Sequence, residues 1–422
     1  MNFRKISLTA PSGSSITLTD GDTTYTDTSA GAAIVYYIPN NGTWTATATL
    51  DGESTSDSVV VSAYQIYSIE LAFVRIYGAE WGGSSSTVLS RTDDSALFVD
   101  PDPYVADGNH PGSSPFDNLM PWSGMEIVTI SDNSLVKIPK FWYKITTSGS
   151  SIKFQIADKA TSGFNVSPAH QDRGDGVGER DYIYVGRYHS ISDYKSKSGS
   201  QPLANITRAT GRTNIKNLGT GFYLWDYATL VTIWLLYIVE FANWNSQTCI
   251  GYGCSASGSK YNTGATSSML YHTGTTATSR TSYASGCQYR YIEDLWGNVL
   301  DWCDGIRFSG SNIYLYKNPS EFSDSSGGVN TGTRPTSGGY ISSWSQPSIT
   351  GYDWAIYPGT VSGSDSTYVP DYCYYNSSGV VLFVGGDYYR SLYRGLFCLD
   401  GSVSASDSGG VVGVRVMYLP TT

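Results

Sequence analysis

Four histidines, six cysteines and 36 acidic residues are the groups in this 422-residue sequence that could hold a metal, move a proton or attack a carbonyl. The histidines (His110, His170, His189, His272) are widely scattered and no Cys-x-x-Cys pair accompanies them, a spacing that argues against a zinc site. The cysteines (Cys249, Cys254, Cys287, Cys303, Cys373, Cys398) are too sparse for a disulfide framework. They are expected as reduced, partly buried thiols, although Cys249 and Cys254 are close enough in sequence to pair. Asp407-Ser408-Gly409-Gly410 could present a nucleophilic serine and Pro168-Ala169-His170 a base. No context for an orienting carboxylate accompanies them, so acyl-transfer chemistry is not expected. Two acidic clusters, Asp100, Asp102 and Asp107, and Asp172, Asp175 and Glu179, carry oxygen ligands of the kind that hold a structural Ca²⁺. Solvated loop carboxylates are the expectation there. No cofactor is expected, and a structural Ca²⁺ is left open.

Stepping from single residues to their setting, the charge balance of 26 basic against 36 acidic residues, a net of -10, opposes any sequence-independent grip on phosphate backbones. Nucleic acid is therefore not an expected partner. Only 15% of residues are charged, while Gly reaches 46 and Tyr 34, a balance typical of β-rich, loop-rich chains with Tyr/Ser/Gly contact surfaces. The start, Met1-Asn2-Phe3-Arg4-Lys5, leads into Thr, Ser and Gly, and no signal peptide is read there. The most apolar segment, residues 228–239, is interrupted by Thr229, Thr232 and Tyr237, is too short for a bilayer and reads as a buried helix. No membrane insertion is expected.

Between Lys5 and Ala63, short alternating runs are broken by the turn dipeptides Ser12-Gly13, Asp20-Gly21, Asn41-Gly42 and Asp51-Gly52. Period-2 alternation punctuated in this way predicts hairpins and, for residues 1–64, an Ig-like β-sandwich. Residues 65–422 form the expected second domain, with a connecting strand near residues 64–77. Strands are predicted over 136–145, placed at an edge or bulge by Pro139, and over 151–156 and 181–188. Residues 225–244 carry Ala228, Val231, Leu235, Ile238 and Ala242 at helical spacing, with Asp226 as N-cap. Short strands and Gly/Ser loops follow, up to a terminal strand over 411–416. The expected class is mainly β with few helices (α+β).

Residues 293–305, Glu-Asp-Leu-Trp-Gly-Asn-Val-Leu-Asp-Trp-Cys-Asp-Gly, resemble the Gly-Asn-Val-Trp-Glu-Trp segment of the formylglycine-generating, sulfatase-modifying enzymes. That resemblance implies a C-type-lectin-like fold, with Gly385-Gly386 as its Gly-Gly turn and Gly413-Val414-Arg415 as its final strand. The segments 138–144, 181–186 and 240–247 look like a phage and prophage tail-protein branch of the same fold. Together these matches cover residues 71–422. Residues 42–50 are similar to Ig-like modules appended to bacterial and phage surface proteins. The family's catalytic cysteine pair, which works with copper, would fall at Arg390 and Gly395. Neither side chain supplies a thiolate, so the resemblance implies a fold and no oxidase. Calcium lectins use a Glu-Pro-Asn or Gln-Pro-Asp loop with a Trp-Asn-Asp strand; neither is present, and Asn318-Pro319 lacks the acidic neighbour. Trp296, Asn298, Leu300 and Trp302 are expected as scaffold, and Arg415 is expected to pair with Glu293 or Asp301.

Residues 384–397, continuing to Gly413-Val414-Arg415, resemble the variable region of diversity-generating retroelement proteins. In that family a fixed C-type-lectin-like scaffold carries ligand-facing side chains rewritten by adenine-directed mutagenesis, which cannot convert an Asn codon into Lys, Gln, Glu, Met or Trp. None of these five occurs in residues 385–410. The resemblance implies a variable region near 384–416 and one ligand-binding arm of Asp387, Tyr388, Tyr389, Arg390, Leu392, Tyr393 and Arg394. A second arm comprises Cys398, Asp400, Ser402 and Ser404. Tyr supplies rigid amphipathic area and Ser, Gly and Asp adaptable polar contacts, as in an antibody paratope. The implied protein is a non-enzymatic phage or prophage tail-tip receptor-binding protein, made in the host cytoplasm and located in the virion tail. Its partners would be a bacterial surface protein or glycan and other tail proteins, with a homotrimer compatible with tail geometry. The alternatives are a purely structural tail or baseplate part and a degenerate formylglycine-generating-type oxidase.

Overall fold

A computed structural model describes residues 3–389 and 394–421. The chain divides into two compact units, residues 1–75 and 76–422. The first unit has seven strands: β1 (Arg4–Thr9), β2 (Ser15–Thr19), β3 (Thr24–Thr28), β4 (Ile34–Ile38), β5 (Gly42–Leu50), β6 (Glu53–Val61) and β7 (Ile66–Glu70). They form two sheets, ordered β4-β1-β7 and β3-β2-β5-β6. The alternation read from the sequence is what buries one face of each: Ile6 and Leu8, Ile16 and Leu18, and Trp44, Ala46 and Ala48 meet in a single core. Leu50 and Glu53 pair across the Asp51-Gly52 turn, as that dipeptide predicts. The division falls after Arg75 and not at residue 64, because β7 pairs in parallel with β1, Lys5 opposite Ile66. A partner strand distant in sequence leaves no local signal of where the unit ends.

The second unit is also mainly β. Its largest sheet has seven strands in the order Tyr357–Val361, Gly339–Ser345, Tyr372–Tyr375, Leu399–Val403, Val381–Val384, Leu300–Cys303 and Val412–Gly413. A five-stranded sheet orders Glu126–Ile130, Asn133–Pro139, Tyr182–Gly186, Val416–Tyr418 and Phe222–Leu224. The run expected as one strand over 136–145 is two strands that separate at Lys140-Phe141 and join different sheets. Pro139 sits at the end of an interior strand, opposite Tyr182, and not at a sheet edge. The terminal strand is likewise split, because Val414-Arg415 leaves the ladder between Val412–Gly413 and Val416–Tyr418.

Two longer helices, α1 (Arg208–Lys216) and α2 (Tyr227–Phe241), accompany these sheets. Helix α2 is buried on every side, which explains why its sequence is apolar around its whole circumference. Asp226 caps it, accepting the Thr229 amide at 2.9 Å, and its second carboxylate oxygen pairs with the buried Arg173 guanidinium. No helix among the described residues is long and apolar enough to cross a membrane.

Candidate ligand-binding site

The Trp-Asn segment forms a frame whose polar groups are all matched. The Trp296 indole donates to the Gly251 carbonyl at 3.0 Å and the Trp302 indole to Ile206 at 2.7 Å. The Asn298 amide donates to Asp294 at 3.2 Å, while its oxygen accepts the Tyr261 amide at 3.2 Å. Arg415 donates from Nε to Asp301 at 2.9 Å and from Nη2 to the carbonyls of Glu293 and Asp294. Of the two partners expected for Arg415, Asp301 supplies the carboxylate and Glu293 only its main chain. Burial alone would raise the Asp301 carboxyl, but His189 and Arg415 outweigh it and hold it low. The scaffold reading of this segment is thereby met in its hydrogen bonds.

On this frame sits the segment between Val381–Val384 and Leu399–Val403, whose ends the antiparallel pair Val384–Leu399 brings together. The Gly385 amide donates to the Cys398 carbonyl at 3.1 Å and closes the base. Gly385 has φ +73°, and a Cβ there would lie 2.6 Å from the Leu295 carbonyl oxygen, so only glycine fits without displacement. The far end is held by the buried Asp371 carboxylate, which accepts the amides of Gly395 (2.6 Å) and Phe397 (2.9 Å). Ser246 Oγ accepts the Leu396 amide at 2.9 Å, and the Trp234 indole donates to the Leu396 carbonyl at 3.0 Å. A Cβ on Gly395 would strike both Ser246 Oγ (2.6 Å) and Asp371 (2.8 Å). Phe397 fills an aromatic cluster, 5.0 Å from Trp244 and 5.3 Å from Trp234 between ring centroids.

The residues expected to face a ligand divide three ways. Tyr389 is 60% exposed, and Tyr388, partly exposed, lies beside it with ring centroids 4.3 Å apart. Ser404 is exposed, and Asp400 and Ser402 are half-buried, joined by a 2.6 Å bond from the Ser402 hydroxyl to Asp400. Asp387 (2% exposed) and Arg394 (1%) are not on the surface as expected. Asp387 turns back to accept the Tyr389 amide at 2.8 Å, and Arg394 lies 3.6 Å from Asp387 and stacks on Tyr374. Cys398 is also a correction: it is fully buried beneath the strand pair, where burial pushes its thiol well above the ordinary range. Arg390, Leu392 and Tyr393 lie outside the described residues.

Asp387, Arg394 and Asp400 nevertheless share one feature with Asp407 and Ser408. All five line an open concavity of about 270 Å³ whose apolar wall includes Phe383 and Leu300. Arg394 Nε and Nη1 have no hydrogen-bond partner among the described residues. A floor with a guanidinium beside carboxylates can receive a polar group from a ligand. The sequence reading missed Asp371 and Ser246, the side chains that fix the loop. An acid beside the apolar run Tyr372–Tyr375 is the signal that marks Asp371; Ser246 carries none.

The other chemistry considered in the sequence does not assemble. His170 is buried, with its Nδ1 accepting the Ser167 hydroxyl at 2.6 Å and its Nε2 donating to the Ile138 carbonyl at 3.0 Å, and it has no contact with Ser408. All six cysteines are unpaired, and five are buried. Asp100, Asp102 and Asp107 each face a different basic partner, Arg91, Arg280 and His110. Asp175 pairs with Arg180. Among the described residues no three His, Cys, Asp or Glu side chains form a group that could hold a metal ion.

The molecule is thus a mainly β scaffold that grips a C-terminal loop by its main chain and leaves side chains between the grips. No family model matches the chain, and no curated protein matches its sequence. Among solved structures it is similar to the Major Tropism Determinant P3c variant, at 9% identity and TM-score 0.28, over 93% of this chain and 89% of that one. It is also similar to the I1 variant, at 10% identity and TM-score 0.27, over 90% of this chain and 81% of that one.

Proposed function

We propose that residues 76–422 are a C-type-lectin-like receptor-binding module of a phage or prophage tail, with no bond made or broken and no cofactor required. The observation that carries this reading is the anchoring of residues 385–398 through main-chain groups and buried side chains at both ends. Such anchoring leaves Tyr388 and Tyr389 as described positions whose side chains can change without loss of the anchored ends. Tyr388 and Tyr389 are the described part of that face, and the concavity lined by Asp387, Arg394 and Asp400 is a polar recess of the same segment. The ligand is a bacterial surface protein or glycan, and the Ig-like unit serves as spacer or attachment module to other tail proteins. Several copies per virion would raise the strength of capture by avidity.

An array of bacterial surface glycans and outer proteins tests this, probed with the full chain and with a Tyr388→Ala, Tyr389→Ala double variant. Capture by the parent and at least a tenfold loss in the variant is the expected result. Equal capture by both places the contact elsewhere and overturns the assignment. A second reading, a purely structural tail part, draws on the burial of Asp387, Arg394 and Cys398. Sequencing the locus across a population separates the two: substitutions concentrated in residues 387–408 favour the binder, and an even spread favours the structural part.

A further inference from the structure

A second cleft, sharing no residue with the loop just described, is built from two stretches distant in sequence. It encloses about 450 Å³ and is lined by Asn165, Gln171 and Glu179 on one side and Ser348, Thr350 and Asp353 on the other. The short strand Asn165–Val166 pairs with Trp142-Tyr143, Asn165 opposite Tyr143, which fixes the height of Asn165. Gln171 follows the turn Pro168–His170, whose histidine is locked at both ring nitrogens.

The amides are held in one orientation. Asn165 Nδ2 donates to Asp353 Oδ2 at 2.8 Å, Gln171 Nε2 donates to the Val166 carbonyl at 2.8 Å, and Gln346 Nε2 donates to the Asp353 carbonyl at 2.5 Å. Each of these amide nitrogens keeps a second N–H, so Asn165 and Gln171 offer a donor as well as an acceptor, beside the Asp353 and Glu179 carboxylates and the Ser348 and Thr350 hydroxyls.

The independent observation is Tyr143. It is 1% exposed, and its hydroxyl has no partner at hydrogen-bonding geometry among the described residues. A buried hydroxyl left in this way is destabilising, which a site tolerates when a ligand or water completes it. Burial, followed by the charge of Asp353, drives its phenol upward, and Asn165 and Gln171 act against them. All three of those neighbours line the cleft, so the hydroxyl lies behind its wall and acts on it through them.

The polar side chains of the set include several acceptors, and Val166 is its single aliphatic side chain. An extended aliphatic ligand would gain little there, whereas a ring bearing several hydroxyls would meet an acceptor at each. Two carboxylates and no cationic side chain line the cleft. Of the lysines at its rim, Lys140 is bound to Asp181 at 2.7 Å and lies 4.0 Å from Glu179, and Lys317 lies over the Tyr352 ring beside Gly351, which leaves Asp353 as the carboxylate without a lysine. We propose that this cleft is a saccharide subsite that holds one sugar unit by its hydroxyl groups and prefers an amino sugar to a uronic acid.

Saturation-transfer NMR on the full chain, with glucosamine, glucose and glucuronate as probes, tests the assignment. Glucosamine is expected to show the strongest transfer and glucuronate the weakest. Asp353→Asn, which keeps the shape and removes a charge, should weaken glucosamine about tenfold and bring it to the level of glucose. Thr350→Val, on an exposed wall where folding is not at stake, should weaken glucosamine and glucose alike. Transfer to none of the three sugars, transfer unchanged in both variants, or a preference for glucuronate overturns the proposal. Because neither substitution touches residues 385–408, these outcomes are independent of the array result above.

Discussion

Asp371 and His170 are two fully buried titratable groups whose ionisation acts on stability in opposite directions. Burial raises the Asp371 carboxyl to about 7, against the two amides that lower it. Between pH 4 and 7 the folded state keeps a proton that the unfolded chain has released, so stability is full below pH 4 and falls as pH rises through 7. His170 is pushed down by burial to about 4, with the Ile138 carbonyl acting the other way. Its contribution is full above pH 6.5 and is lost as pH falls toward 4. In the window from pH 4 to 6.5 the two slopes cancel, and single variants expose them. Denaturant unfolding of Asp371→Asn should gain about 1.4 kcal/mol per pH unit as pH rises through that window, and His170→Asn should lose about as much. Flat profiles in both variants would refute the buried ionisations. Asp371→Ala should cost about 2–5 kcal/mol, because two buried amides lose their acceptor. This residue also marks where sequence reading stops: Tyr389, Asp400 and Ser402 reach solvent as their types suggest, while Asp387 and Arg394 turn inward and lie 3.6 Å apart. Residue type alone does not say which way a loop side chain turns.

Helix α2 was legible because an Asp cap, an apolar run and a following break are all local. The hairpins at Asp20-Gly21 and Asp51-Gly52 were legible for the same reason, whereas Ser12-Gly13 and Asn41-Gly42, also expected as hairpin turns, join strands of different sheets. The seven-stranded sheet was not, since Leu300–Cys303 pairs with strands more than seventy residues away and no segment of it exceeds seven residues. Strands that short carry too few alternations to be told from loops. Asp226 unites two tasks at the start of α2, capping it and neutralising Arg173. Asp226→Ala should therefore cost more than an ordinary cap, about 3–5 kcal/mol, since a buried guanidinium is left unpaired. Asp226→Asn keeps the cap and loses only the charge, and should fall between the two in thermal or denaturant unfolding. Equal stability of all three proteins would mean that the pair contributes nothing net.

At the scale of the whole chain, each of the two units has its own closed hydrophobic core. Damage to one core should leave the chemistry of the other intact. Trp44→Ala, which empties the centre of the first core, should destabilise residues 1–75 by about 3–5 kcal/mol while array capture by residues 76–422 stays at the parental level. Near-ultraviolet dichroism for the first and the array for the second give separate readouts, and a joint loss would show that the units depend on one another. The grips on residues 385 and 395–398 have a use beyond this molecule. Because they act almost wholly on amide and carbonyl groups, which every amino acid but proline provides in full, foreign peptide of varied composition can be spliced between them as a cassette, and a randomised library built there would inherit one common entry and exit.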